Sequence, residues 1–220
     1  MARILLMAAI AVMGIIYIFF IPADPVVLKI VMKLIPMALI IALAATTLPL
    51  VSKKYKRIII AGLFICMIAD GVIYWFMAGL VTFFIGHLFY IYAFKQAIRK
   101  KIPIWVAALL LLYGAAMAIV IAGSQFKIGH VLLGVAIIAY IIVILTMGWM
   151  AIRTGFPLAI AGAVLFIFSD SVLAIDRFVI DIPYRDAFVM VTYYAAQFLI
   201  ALSIGSRVVT YSVKRSNLIR

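Results

Sequence analysis

Long apolar stretches run through this chain, broken by prolines and small groups of lysine and arginine. Read between those marks, the pattern predicts eight helices, at about 4–21, 26–50, 58–76, 78–98, 103–122, 129–150, 156–178 and 187–210. Pro103 and Pro157 stand at first-turn positions, where a missing N–H costs nothing. Pro22 and Pro25 bracket the first short loop and Pro183 lies in the last. Pro36 falls inside the second helix and is expected to kink it, freeing a carbonyl. The connection around Phe76 to Ala78 carries no charge and must be tight. Crossing a hydrocarbon core takes about 20 residues of helix. The expected fold is therefore all-α, a polytopic membrane helix bundle of about eight transmembrane helices, with residues 1–220 as one integral membrane domain. The first stretch is read as a retained helix, since Ile21 to Pro25 offers no small-x-small cleavage site.

Composition sharpens that picture. Of 220 residues, 70% are hydrophobic and 11% charged, which excludes an ordinary water-soluble domain. The net charge of +13 would suggest nucleic acid in a soluble protein. Here most of the 19 basic residues fall at alternate helix ends: Arg3; Lys53, Lys54, Lys56 and Arg57; Lys95, Arg99, Lys100 and Lys101; Arg153; and Arg207, Lys214, Arg215 and Arg220. The opposite ends hold Lys29, Lys33, Lys127, Arg177 and Arg185, with Asp24, Asp176, Asp181 and Asp186. Basic short loops mark the cytoplasmic face, so both termini are expected there, with the charge encoding topology and contact with anionic lipid headgroups in a cell membrane. Nucleic acid is not an expected partner. The lone Cys66 excludes disulfides.

Segment Ala61 to Asp70 echoes Ala161 to Asp170: both begin Ala-Gly and reach Asp after the same spacing. They lie in the third and seventh predicted helices, so a duplication would be a parallel four-plus-four repeat. Asp70 and Asp170 are the acids that fall within helices, and an ionisable group inside a membrane is costly unless it serves a purpose. At helical rise Asp70 comes out about 9 Å deep, Lys33 and Tyr194 about 10 Å, Asp170 about 12 Å, His87 about 14 Å and Gln197 about 15 Å. Five helices thus place polar groups in one layer. Lys33 could supply a cation to a lipid phosphate or to an aspartate, or reach the interface; Lys29 is expected to do the last. His87 and Tyr90 share a helix face. Ser169 and Ser171 flank Asp170. His130, Asp176 and Arg177 are read as loop or rim residues and Cys66 as packing. Gly114, Ala118 and Gly134 could support helix contacts. No nucleophile elbow, phosphate loop or Rossmann glycine pattern occurs. Two histidines support a zinc site poorly, and an Asp-Asp-His site for a harder metal stays open.

The pieces Gly62 to Asp70, Gly86-His87-Leu88-Phe89-Tyr90, Leu165-Phe166-Ile167-Phe168-Ser169-Asp170-Ser171 and Tyr193-Tyr194-Ala195-Ala196-Gln197, in this order, resemble the YhhN-like lysoplasmalogenase family. The resemblance covers the chain from Lys33 through the last helix. Two departures stand out: Lys33 and Pro36 are separated where the family pattern joins Lys to Pro, and no serine shortly precedes Asp70. The resemblance implies hydrolysis of the vinyl-ether bond of lysoplasmalogens to a fatty aldehyde and a glycerophospho-base, with a lysophospholipid as substrate and no metal or cofactor. Such a reaction protonates the β carbon and gives an oxocarbenium ion, much as paired carboxyls do in glycosidases. Asp70 and Asp170 are the expected acid and partner, unordered between them. His87 would orient water or shuttle protons. Tyr90, Tyr194, Gln197 and Ser169 are expected at the substrate, and Lys33 near the phosphate. The competing reading is a proton-coupled transporter or lipid-binding protein using the same aspartates as a relay. Oligomeric state is not encoded in these features.

Overall fold

The computed structural model describes residues 2–22 and 24–206, and no strand occurs among them. The helices are α1 (Ala2–Phe20), α2 (Val26–Thr46), α3 (Lys53–Val72), α4 (Phe76–Lys95), α5 (Ile104–Met117), α6 (Gly123–Lys127), α7 (Val131–Thr154), α8 (Pro157–Phe178) and α9 (Arg185–Leu202). A π-helical turn, Ala118–Ala122, joins α5 to α6 into one rod, and a 3-10 turn, Ser203–Gly205, follows α9. Seven helical stretches are long and apolar enough to cross a membrane. The third expected span, α3, has 20 residues like α4, but it carries Lys53, Lys54, Lys56, Arg57 and Asp70. Large apolar side chains on the outside, among them Phe20, Leu111, Leu112 and Ile142, cover the surface that a soluble fold would keep polar. The chain is a multi-pass membrane protein.

Several boundaries differ from those the pattern predicts, each for a local reason. Helix α3 starts at Lys53, because the Ser52 side chain accepts a hydrogen bond from Tyr55 N at 3.0 Å and caps it there. The basic cluster therefore sits in the first turns of the helix rather than in a loop. The tight connection falls at Ile73 to Trp75, three residues earlier than expected, with Trp75 N donating to Val72 O at 2.9 Å. Helix α7 runs on to Thr154 and stops where Gly155 takes φ +69°, a conformation that glycine adopts without cost. Pro157 occupies the first turn of α8 as predicted, whereas Pro103 stands one position outside α5. Pro36 lies inside α2. The last helix ends before 210; Arg207, Lys214, Arg215 and Arg220 lie outside the described residues.

Helices α2, α3, α4, α7, α8 and α9 pack in sequence around a shared interior, and α9 touches α1, α2 and α3 as well as α8. The rod begun by α5 is peripheral and leans chiefly on α7. Gly114 and Gly134 make their close contacts within the chain, against Leu145 and Phe126. At the end of the bundle where α3 begins and α9 finishes, the interior is solid. Tyr55 and Phe94 fill it, and the Tyr55 hydroxyl meets Ser203 Oγ at 2.8 Å. The opposite end is hollow and holds the site.

Two close approaches set the packing of the helix pairs. A Cβ on Gly62 would lie 2.5 Å from the Tyr90 ring of α4, and one on Gly162 would lie 2.9 Å from the Ala196 carbonyl of α9. The second neighbour is backbone and cannot rotate away. Gly162→Ala should lower the thermal unfolding midpoint of the detergent-purified protein, with overpacking costing about 1–3 kcal/mol. Gly71→Ala, where nothing lies within 4 Å, should leave it unchanged or raise it.

Candidate active site

Bilayer hydrocarbon offers no water to a polar group, so each one must find its partner inside the protein. Asp70, near the end of α3, is buried to 1% exposure, and both of its oxygens are engaged. Lys33 Nζ from α2 lies 2.9 Å from Oδ1, and Tyr193 from α9 donates to Oδ2 at 2.6 Å. Of the roles open to Lys33 in the sequence, the structure selects the aspartate. Tyr194, the neighbour of Tyr193, points the other way and donates to the Lys33 carbonyl at 2.8 Å. It lines a separate apolar groove between α1 and α9.

Asp170 on α8 is held differently. Tyr140 of α7 donates a short hydrogen bond to its Oδ2, and no cation pairs with it among the described residues. The two carboxyls line one cavity of about 360 Å³, whose wall also includes Lys33, Phe83, Ser169 and Tyr193. Toward its mouth stand Lys29, Arg177, Arg185 and Asp186. Lys29 pairs with Asp186 at 3.4 Å rather than simply reaching the interface. Ser169 is buried and donates across to Val189 O of α9 at 2.9 Å, whereas Ser171 bonds its own helix at Ile167 O.

Asp170 also faces a second void. An apolar cleft of about 70 Å³ is bounded by Met117, Ile121, Ile137, Ile141 and Leu145, and it shares Ile73, Phe76, Phe83, Asp170 and Leu173 with the polar cavity. Ile141 and Leu145 line in turn an apolar groove of about 500 Å³ between α5 and α7. The polar cavity, the cleft and the groove thus adjoin one another, with Asp170 in the wall between the first two and Ile141 and Leu145 in the wall between the last two. Tyr113 of α5 and Ser171 of α8 hydrogen-bond across the cleft.

His87, Tyr90 and Gln197 form a buried row behind this wall and do not line the cavity. His87 Nδ1 lies 2.7 Å from the Phe83 carbonyl. A carbonyl only accepts, so Nδ1 carries the hydrogen, and Nε2 has no partner. The ring stands edge-on to Tyr140, with centroids 5.4 Å apart. The Tyr90 hydroxyl, expected near His87, instead donates to Gln197 Oε1 at 2.6 Å. Among the described residues no group of three or more His, Cys, Asp or Glu is placed to hold a metal ion. Sequence reading missed Tyr140 altogether and passed over Tyr193 in favour of Tyr194. Phase along α9 was the available signal for the second: Tyr193, Ala196, Gln197 and Ile200 form its most buried stripe.

An apolar helix bundle that buries two aspartates from different helices around one cavity, with an apolar cleft beside them, defines a multi-pass membrane protein with a polar interior site. The chain belongs to the YhhN family, whose sequence model matches residues 28–204. It is similar to Lysoplasmalogenase TMEM86A of Homo sapiens, 32% identical over 163 residues, covering 66% of this chain and 64% of that protein. Lysoplasmalogenase TMEM86B of Homo sapiens is 33% identical over 155 residues, covering 69% and 65%. Lysoplasmalogenase TMEM86B of Rattus norvegicus is 36% identical over 143 residues, covering 62% and 56%. The chain spans 56–65% of the length of these curated relatives. No solved structure matches it.

Removing one partner of a buried ion pair strands the other charge. Lys33→Met should therefore destabilise the protein by about 3–5 kcal/mol in thermal unfolding. Adding Asp70→Asn to that variant should recover part of the loss; purely additive losses would show that the pair is not coupled.

Proposed function

We propose that the protein is an intramembrane lysoplasmalogenase, cleaving the vinyl-ether bond of a lysophospholipid by carboxyl acid–base chemistry. One observation carries the reading: Asp170 lies where the charged cavity and the apolar cleft share a wall. A vinyl ether is the junction between the hydrocarbon chain of such a lipid and its polar part. With the headgroup in the cavity and the chain in the cleft, that junction falls beside Asp170. The relatives' names support the same substrate class.

In this reading Asp170, with no cation beside it, gives its proton to the β carbon of the alkenyl chain. The α carbon and ether oxygen then share the positive charge of an oxocarbenium ion. Asp70, paired with Lys33 and accepting from the Tyr193 hydroxyl, stabilises that charge. Water adds to the α carbon and returns a proton to Asp170. The hemiacetal collapses to a fatty aldehyde and the freed glycerol hydroxyl. Tyr140 orients Asp170, and His87 supports Tyr140 from behind. Ser169 ties α8 to α9 so that the acid faces the cavity, and Tyr194 holds the α2 backbone that carries Lys33. Tyr90 and Gln197 fix the layer behind. No metal or cofactor enters these steps.

We also propose that α3 crosses the membrane with the other seven rods as one domain over residues 1–220. The basic ends would then lie at the cytoplasmic face of the cell membrane beside anionic headgroups, with both termini there and the cavity opening on the opposite side. The internal echo gains support from packing: Gly62 admits α4, the next helix in the chain, and Gly162 admits α9, the helix that follows α8. Those matching roles suit a parallel duplication.

Purified protein incubated with lysoplasmalogen should release fatty aldehyde. Asp70→Asn and Asp170→Asn, each still folded, should lower the rate at least about 100-fold, the scale of positioned acid–base catalysis. Aldehyde release undiminished in both variants would reject the assignment. Absent release together with proton-linked lipid flux in vesicles would favour transport.

A further inference from the structure

Four cations line the polar cavity: Lys29, Lys33, Arg177 and Arg185. Three have carboxylate partners. Lys29 pairs with Asp186 at 3.4 Å, Lys33 with Asp70 at 2.9 Å, and Arg185 with Asp176 at 3.0 Å and Asp186 at 2.8 Å. Asp176 further accepts from Ile182 N at 2.9 Å, so that acid is committed to the loop before α9. Arg177 pairs with no carboxylate among the described residues. Its guanidinium lies over the Phe76 ring, 4.2 Å from the centroid, with the Phe178 ring at 5.9 Å. Aromatic rings engage the face of a guanidinium and leave its edge, with five N–H donors in one plane, free of that contact, and Arg177 is part of the cavity wall. A planar fork of donors with no internal acceptor suits a phosphate, which it can bind through two oxygens.

Spacing supports the same conclusion. Arg177 stands seven residues beyond Asp170 on α8, so both face one side of the helix, about 10 Å apart along its axis. In a lysoplasmalogen the ether oxygen and the phosphorus are joined through the glycerol by about five bonds, roughly 6 Å when extended. The length of an arginine side chain spans the remainder.

Resting on the lysoplasmalogenase reading for what the cavity takes, we propose that Arg177 binds the phosphate of the substrate and fixes which carbon of the lipid meets Asp170. Lys33, occupied by Asp70, is then part of the acid–base pair rather than the phosphate site. Arg177 would select phosphate-bearing lipids over alkenyl glycerols of the same chain.

The test uses the purified full chain in detergent and two uncleavable probes of equal chain length, a saturated 1-O-alkyl lysophospholipid and the matching 1-O-alkyl glycerol without phosphate. Wild type should bind the phosphate-bearing probe roughly 10- to 100-fold more tightly, the scale of a charge-assisted pair. Arg177→Met should erase that preference and leave affinity for the alkyl glycerol unchanged, while Arg177→Lys should keep part of it. A preference that survives in Arg177→Met, an equal loss for both probes, or no preference in wild type would each overturn the proposal. Aldehyde release from the corresponding alkenyl lipids, read separately on wild type, decides the hydrolase reading. A protein that binds with the expected preference but releases no aldehyde keeps the phosphate site and loses the reaction.

Discussion

The arrangement of the site follows from the burial of two carboxyl groups in a surrounding that cannot solvate them. Asp70 meets this demand with two strong partners from two other helices, Lys33 on α2 and Tyr193 on α9. These contacts tie α2, α3 and α9 together at the hollow end of the bundle. An uncompensated charge there would cost several kcal/mol, so the contacts that satisfy the carboxyl also fix the three helices relative to one another. Asp170 satisfies the demand with a single neutral donor, Tyr140 on α7. Two otherwise identical side chains thus sit in different surroundings, the ground on which different roles are proposed for them.

The second constraint is the boundary between oil and water running through the interior. Charged and polar groups crowd one cavity, and isoleucine, leucine and methionine line the cleft beside it. The peripheral rod begun by α5 makes this possible. It packs mainly on α7, and its α-helical part buries Gly114 alone, leaving an apolar seam through which a hydrocarbon chain can lie without entering water. Tyr113 and Ser171 hydrogen-bond across it, one residue along α8 from Asp170.

Much of this was legible in the residues. Apolar runs gave the helices, because a membrane span has to be continuous and nearly uncharged; α3 alone strains that rule, through the basic cluster in its first turns. Boundaries shifted where a side chain supplies a cap, as Ser52 does, or where a glycine stops a helix, as Gly155 does. Asp70, Asp170 and Lys33 could be singled out because ionisable groups in an apolar run are conspicuous. Tyr140 could not, since one tyrosine in α7 looks like any packing aromatic until the fold brings it to Asp170. Arg177 looked like a rim residue for a related reason. The proposal for it rests on its lacking, among the described residues, a carboxylate partner of the kind its neighbours have, and pairing across helices is invisible in a linear pattern. The Tyr193 and Tyr194 pair shows the limit most sharply: adjacent residues of one type, of which helix phase sends one to an acid and the other to a backbone carbonyl.

The proposed reaction requires the junction between headgroup and chain to sit at Asp170. A structure of the protein with a saturated 1-O-alkyl lysophospholipid would show where that junction lies. The ether oxygen and its first chain carbon should be within contact of the Asp170 carboxyl, with the chain lying between α5, α7 and α8. A chain seated in the groove between α1 and α9, or an ether oxygen out of reach of both aspartates, would contradict it.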